Sequence, residues 1–181
     1  MIIPNRQQCL VFFDKYNLPS QKRVHVETVA KVALFLADKL IAKDIKVNRN
    51  LVEAASLLHD IDKSVTKKAG ERHPDTAVRI LEELGLLNVA QVVKKHSLHT
   101  ILDPDNHPKT WEEKLVFLAD KIVKFEIIGV DHRFALWRRE NLPPQAKEEL
   151  VKAYPKVKLL EQEIFQICEV SFDDISREIG G

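Results

Sequence analysis

Apolar residues in this chain recur three and four positions apart, and little interrupts them. After Ser20, the residues His25, Val29, Val32, Leu36 and Leu40 fall on one face of a helix. Strand-type alternation is hard to find, and of the five glycines two are the last two residues. The pattern predicts an all-α chain whose helices are joined by short loops.

Local signals set the expected boundaries. A first helix over about 5–16 ends before Pro19, and Ser20 reads as the N-cap of a long second helix. A third runs from about 50 through 58 toward Asp60, and the polar stretch 63–72, with Gly70, reads as a loop. A fourth starts near Pro74 and ends near Gly85, and a fifth ends near His96. Residues 98–109 carry Asp103, Pro104, Asp105, Asn106 and Pro108 and read as an exposed loop. Thr110, with Glu113 three residues on, has capping-box spacing and opens a helix expected over about 111–128. Another begins after Gly129 and stops at Pro143 and Pro144; 145–170 is helical and charged, with one more short helix after Ser171. No stretch is long enough to act as a linker, so one domain over 1–181 is expected.

With apolar residues at 45%, a sizeable core is affordable. The balance of 28 basic against 27 acidic residues leaves a net charge of +1, so no DNA partner and no anionic membrane is expected. No run of 18 apolar residues and no basic segment leading into an apolar one is found, so a cytoplasmic protein without a spanning helix is expected. Cys9 and Cys168 sit in helical patterns and read as buried thiols.

Six residues stand apart from this bland background: His25, His59, Asp60, His73, His96 and Asp120. His25 lies in an apolar stripe. His59 and Asp60 follow Ala54-Ala55-Ser56-Leu57-Leu58, and Asp120 follows Leu115-Val116-Phe117-Leu118-Ala119. Each alone is as well explained by core packing or capping. Carboxylates beside apolar runs need partners, because a lone buried charge is costly, and a divalent ion is one such partner. Imidazole nitrogen with carboxylate oxygen suits zinc, iron, manganese or cobalt, and magnesium less well.

The order His25, then His59-Asp60, then Asp120 resembles the signature of the HD superfamily of metal-dependent phosphohydrolases. Leu57-Leu58-His59-Asp60-Ile61-Asp62-Lys63 is similar to the HDIG form of its motif, with Asp62 in place of the glycine. Residues 113–121 resemble the block that supplies the last aspartate, and His73-Pro74 and Lys94-Lys95-His96 resemble the added histidines of two-metal subfamilies. Among these, the bacterial HD hydrolases of symmetrical diadenosine tetraphosphate are similar. The resemblance implies an HD-domain helical bundle, with a motif core over about 24–128 and a helical extension over about 129–181. It implies that His25, His59, Asp60 and Asp120 bind one metal and that Asp60 bridges to a second held by His73 and His96. One carboxylate has two oxygens and can join two cations in this way. The cofactor is then one or two divalent ions, iron or manganese first, with zinc, cobalt, nickel or magnesium as alternatives.

The implied activity is cleavage of a phosphate ester or anhydride of a nucleotide or dinucleotide by a metal-activated water, with Asp60 and Lys63 catalytic. Lys63, Lys121 and Arg133 are the expected substrate contacts, although Lys121 can equally pair with a motif carboxylate and for Arg133 a structural tie between helices is the favoured alternative. Asp62 is expected to point outward. His99, His107 and His132 read as exposed or capping residues. The competing readings are a nucleotide-binding regulatory HD module with little or no catalysis, and a structural bundle with coincidental histidines. The mixed apolar and charged stretch 145–169 either covers the core or forms a homodimer contact.

Overall fold

The long helix that the sequence places after Pro19 organises everything else. The computed structural model describes residues 2–180. In it α1 spans Arg6–Lys15, α2 Ser20–Ile41, α3 Arg49–Leu58, α4 Asp75–Glu83 and α5 Leu87–Lys94. A 3-10 turn covers Leu98–Leu102; α6 spans Trp111–Ile122, α7 Gly129–Arg139, α8 Pro144–Cys168 and α9 Phe172–Ile179. The only β-type pairing among the described residues is the single bridge between Val123 and Ile127.

At about 1.5 Å per residue, α2 crosses the full width of a small domain. It is buried on more than one face, through Val26, Val29, Ala30, Ala33, Leu36, Ala37 and Leu40. It therefore packs against α3 on one side and α6 on another, with α8 and α9 covering the rest. Small residues at 30, 33, 37, 54 and 55 sit in this buried centre, where they let helices approach. Helix α4 packs on α5, and α5 packs on α3 and α6, burying Ala77, Ile80 and Leu81 with Val89, Ala90 and Val93. Cys9 and Cys168 are buried free thiols, and burial pushes the Cys9 thiol up to about 12. No helix of the described residues is long and apolar enough to cross a membrane.

The caps follow the sequence closely. Thr110 makes the expected reciprocal capping box with Glu113, and Asn5 with Gln8 and Ser171 with Asp174 make two more. Three expectations need correction. Ser20 is the first residue of α2 rather than its N-cap; Pro19 takes the cap position without a side-chain bond. Residues 98–109 are not wholly loop, because Leu98–Leu102 winds into the 3-10 turn with Thr100 buried. Helix α6 stops at Ile122, not near 128: Val123 turns extended and pairs with Ile127, and the chain then enters α7 through Gly129 at φ +80°. A Cβ there would meet the Phe172 ring at 3.1 Å as well as strain the backbone, so glycine is required.

Candidate metal centre

Two histidines reach the middle of the molecule by the same local device. His59 sits at the C-cap of α3 with Nδ1 2.8 Å from the Ser56 carbonyl, and His96 follows α5 with Nδ1 2.6 Å from the Val93 carbonyl. Helix ends leave carbonyls without intrahelical donors, and a histidine three residues on can supply one. His25 is anchored from afar: its Nδ1 lies 2.6 Å from the carbonyl of Lys124, just beyond the early end of α6. A ring that donates Nδ1–H keeps a free lone pair on Nε2. The lone pairs of His25 and His59 meet, and His96 joins His59 in a second candidate ligand set.

There, His25 Nε2 and His59 Nε2 face each other at 3.3 Å, and lie 3.1 Å and 3.5 Å from Asp120 Oδ1. Two nitrogen lone pairs that close repel unless a proton or a metal cation sits between them. The titration of His59 points the same way: burial opposes its charged form, but Asp60 and Asp120 outweigh burial and raise its pKa. His96 behaves oppositely. Burial and the neighbouring His73 and His59 rings push its pKa well down, leaving a neutral imidazole at neutral pH.

Asp60 faces two ways. Its Oδ2 is 3.0 Å from Lys22 Nζ and 3.9 Å from both His25 Nε2 and His59 Nε2. Its Oδ1 is 3.0 Å from Lys63 Nζ and 3.7 Å from His73 Nε2. Burial works against its charge, yet His59 and Lys63 hold it well below the usual carboxylate range. Asp120 is held low against burial in the same way, by Lys121, His25 and His59. His73 completes the group, with Nε2 2.8 Å from His96 Nε2. The loop that carries it is fixed by Glu71, which accepts from Arg79, from the Lys68 amide and from Thr76; Arg79 holds that carboxyl down at about 2.

Three overlapping sets can hold a metal ion, each with ligand atoms within 4.8 Å of one another: His25, His59 and Asp120; His59, Asp60 and His96; Asp60, Asp62 and His73. All six residues singled out in the sequence are thus brought together, and Asp62 joins them. The outward position expected for Asp62 is wrong: it is 3% exposed and turned toward His73. The mixed imidazole and carboxylate donors fit a divalent ion of the first transition row.

A cavity of about 330 Å³ opens onto this cluster. Lys63 lines it, as does Arg133. Among the described residues Arg133 makes no ion pair, its buried Nε has no hydrogen-bond partner, and its guanidinium lies 4.6 Å from the centre of the Trp137 ring. Lys121 also borders the cavity, but its ammonium donates to Asp120 Oδ2 and to the His96 carbonyl. Of the two roles expected for Lys121, the carboxylate pairing is the one observed. His99 is a further correction, since it is half-buried in the cavity wall, whereas His132 is exposed as expected.

Sequence reasoning missed Lys22, Trp137 and Glu149, which also line the cavity. Two of them had a signal: Lys22 is three residues before His25 and Trp137 four after Arg133, each on the same helical face.

A metal entering this centre must displace the proton that His59 favours. Binding of Mn²⁺ near pH 6.5 is therefore expected to release about one proton, since a coordinating histidine must be neutral. Calorimetry in buffers of different ionisation enthalpy measures this directly; a heat independent of buffer would refute it.

The family model described as HD domain matches residues 24–124. Two curated relatives both carry the name tRNA (cytidine(56)-2'-O)-methyltransferase. The protein from Picrophilus torridus is 30% identical over 189 residues, covering 98% of this chain and 51% of its own length. The protein from Thermoplasma volcanium is 34% identical over 132 residues, covering 67% of this chain and 37% of its own. The chain thus spans about half the length, or less, of these relatives. No solved structure matches it.

Proposed function

This chain belongs to the HD domain family, and from that premise we propose that it is a metal-dependent phosphohydrolase acting on a nucleotide. The observation that carries the reading is the pair of ligand sets that share His59, one with His25 and Asp120 and one with Asp60 and His96, beside a cavity lined by cations. In this reading His25, His59, Asp60 and Asp120 would hold one divalent ion, and His73 and His96 would join Asp60 in holding a second. When bound, the ions supply a nucleophile from water at neutral pH and neutralise charge on the phosphate oxygens.

The chain's own residues do the rest. Lys63 and Lys22, each 3.0 Å from an Asp60 oxygen, stand where a phosphate oxygen arrives and meet it as point charges. Arg133 presents a planar cation at the cavity wall, and its unpartnered Nε gains a partner when an anion binds. Trp137 and His99 offer flat faces to a base. The cavity volume, about 330 Å³, lies at the low end of the range for ligand sites and suits a single nucleotide. Arg133, Trp137 and Glu149 come from beyond the matched residues, which supports reading 1–181 as one HD unit whose extension walls the cavity.

The names of the relatives favour a second reading, in which the phosphate ester is carried on RNA. One panel separates the two. The purified protein is assayed with manganese, iron(II), cobalt or magnesium against nucleoside monophosphates, 2′,3′-cyclic nucleotides, diadenosine tetraphosphate, an aryl phosphate and an RNA ending in a 2′,3′-cyclic phosphate. Hydrolysis of a free nucleotide supports the first reading, and hydrolysis of RNA ends alone supports the second. Metal binding without turnover of any of them favours a regulatory module. Arg133→Ala is expected to raise KM about tenfold or more, the worth of a charge-assisted hydrogen bond, with a smaller change in kcat. An unchanged KM would remove Arg133 from the substrate site.

A further inference from the structure

Asp62 is a buried carboxylate with no structural partner that accounts for it. It is 3% exposed, and its Oδ1 is buried without a hydrogen-bond partner. Its Oδ2 lies 3.4 Å from His73 Nδ1, longer than a sound hydrogen bond. A carboxylate in that position is costly unless a cation compensates it. The cation nearest this set is Lys63, whose ammonium stands 3.0 Å from Asp60 Oδ1 and 3.2 Å from His73 Nδ1. Asp60, Asp62 and His73 thus outline a cation position with two carboxylates and an imidazole.

We propose that Asp62 supplies a carboxylate oxygen to the second metal position, with Asp60 and with His73 through Nδ1 rather than the Nε2 that faces His96, and that the Lys63 ammonium competes with the metal for that position. The inference rests on the metal-binding reading above and adds a ligand to it. It also gives Lys63 a second role: the ammonium that leaves Asp60 and His73 when a metal enters becomes free to meet the substrate phosphate. Two oppositely charged residues, Asp62 and Lys63, then set the affinity of one ion in opposite directions, while the His25, His59 and Asp120 set is left as it is.

The test is titration of the metal-stripped protein with Mn²⁺ alone, reading free Mn²⁺ by electron paramagnetic resonance. The unaltered protein should bind two ions. Asp62→Asn and Asp62→Gly should each weaken the second ion by about tenfold or more, the scale seen when groups supporting a metal site are removed, with the first ion unchanged. Lys63→Met should tighten the second ion. Two ions bound equally well in both Asp62 variants, or a single ion in the unaltered protein, would overturn the proposal while leaving the first metal position intact. No binding at all would overturn the metal-binding reading itself. Should the Asp62 variants lose their helical circular dichroism, the Lys63→Met arm decides: unchanged or weaker binding of the second ion refutes the competition.

Discussion

Asp60→Ala is expected to abolish both metal retention and phosphate-ester hydrolysis. No other side chain in the centre belongs to two ligand sets with two different atoms. One Asp60 oxygen faces His25, His59 and Lys22, and the other faces His73 and Lys63. Alanine removes both oxygens and leaves Lys22 and Lys63 without the carboxylate they pair with, so the centre loses a shared ligand and gains uncompensated positive charge. The loss of activity should be at least as large as for removing one charge-stabilising contact, on the order of 10² to 10³-fold, and should reach background when no ion is held. Elemental analysis and the phosphate-ester panel, run on the same preparation, check this. A full metal complement in the variant would sink the assignment of Asp60 as the bridging ligand. Asp60→Asn separates shape from charge: it keeps one oxygen and the packing, so partial metal retention is expected there.

The ligand cluster was largely legible in the sequence because its members sit where helices declare themselves. His59 and His96 follow apolar helical runs that end, and Asp120 lies within one, so periodicity and motif order place them together. Asp62 was misread for the converse reason. Residues 59–63 form a tight turn, and in a turn the direction of a side chain depends on local dihedrals that no periodicity reports. His99 was misread because a proline-rich stretch hid a 3-10 turn whose geometry rotates it into the cavity. The early end of α6 had the largest consequence. The run Val123 to Ile128 is apolar enough to continue a helix, and a local bridge between Val123 and Ile127 turns it aside instead. That turn is what aims the Lys124 carbonyl at His25, a contact across 99 positions that sequence spacing does not contain.

Lys121→Met is expected to destabilise the metal-free protein by about 3–5 kcal/mol, the range for removing one partner of a buried ion pair. Lys121 is 2% exposed and spends its ammonium on Asp120 and on the His96 carbonyl, so methionine fills its space but leaves a carboxylate without its nearest cation. The Asp120 side chain is 14% exposed, so water screens little of that loss. For a chain of this length the change corresponds to a melting point lower by roughly 6–20 °C. Divalent metal should restore part of it, since an ion bound by the folded state alone stabilises that state and replaces the missing positive charge beside Asp120. Thermal unfolding with chelator and with Mn²⁺ measures both effects. The sequence alone left Lys121 as either a phosphate contact or a carboxylate partner, and the two roles leave different marks. A partner of Asp120 lowers the melting point, more in chelator than in metal. A phosphate contact leaves the melting point unchanged and raises KM, and that result would return Lys121 to the substrate site.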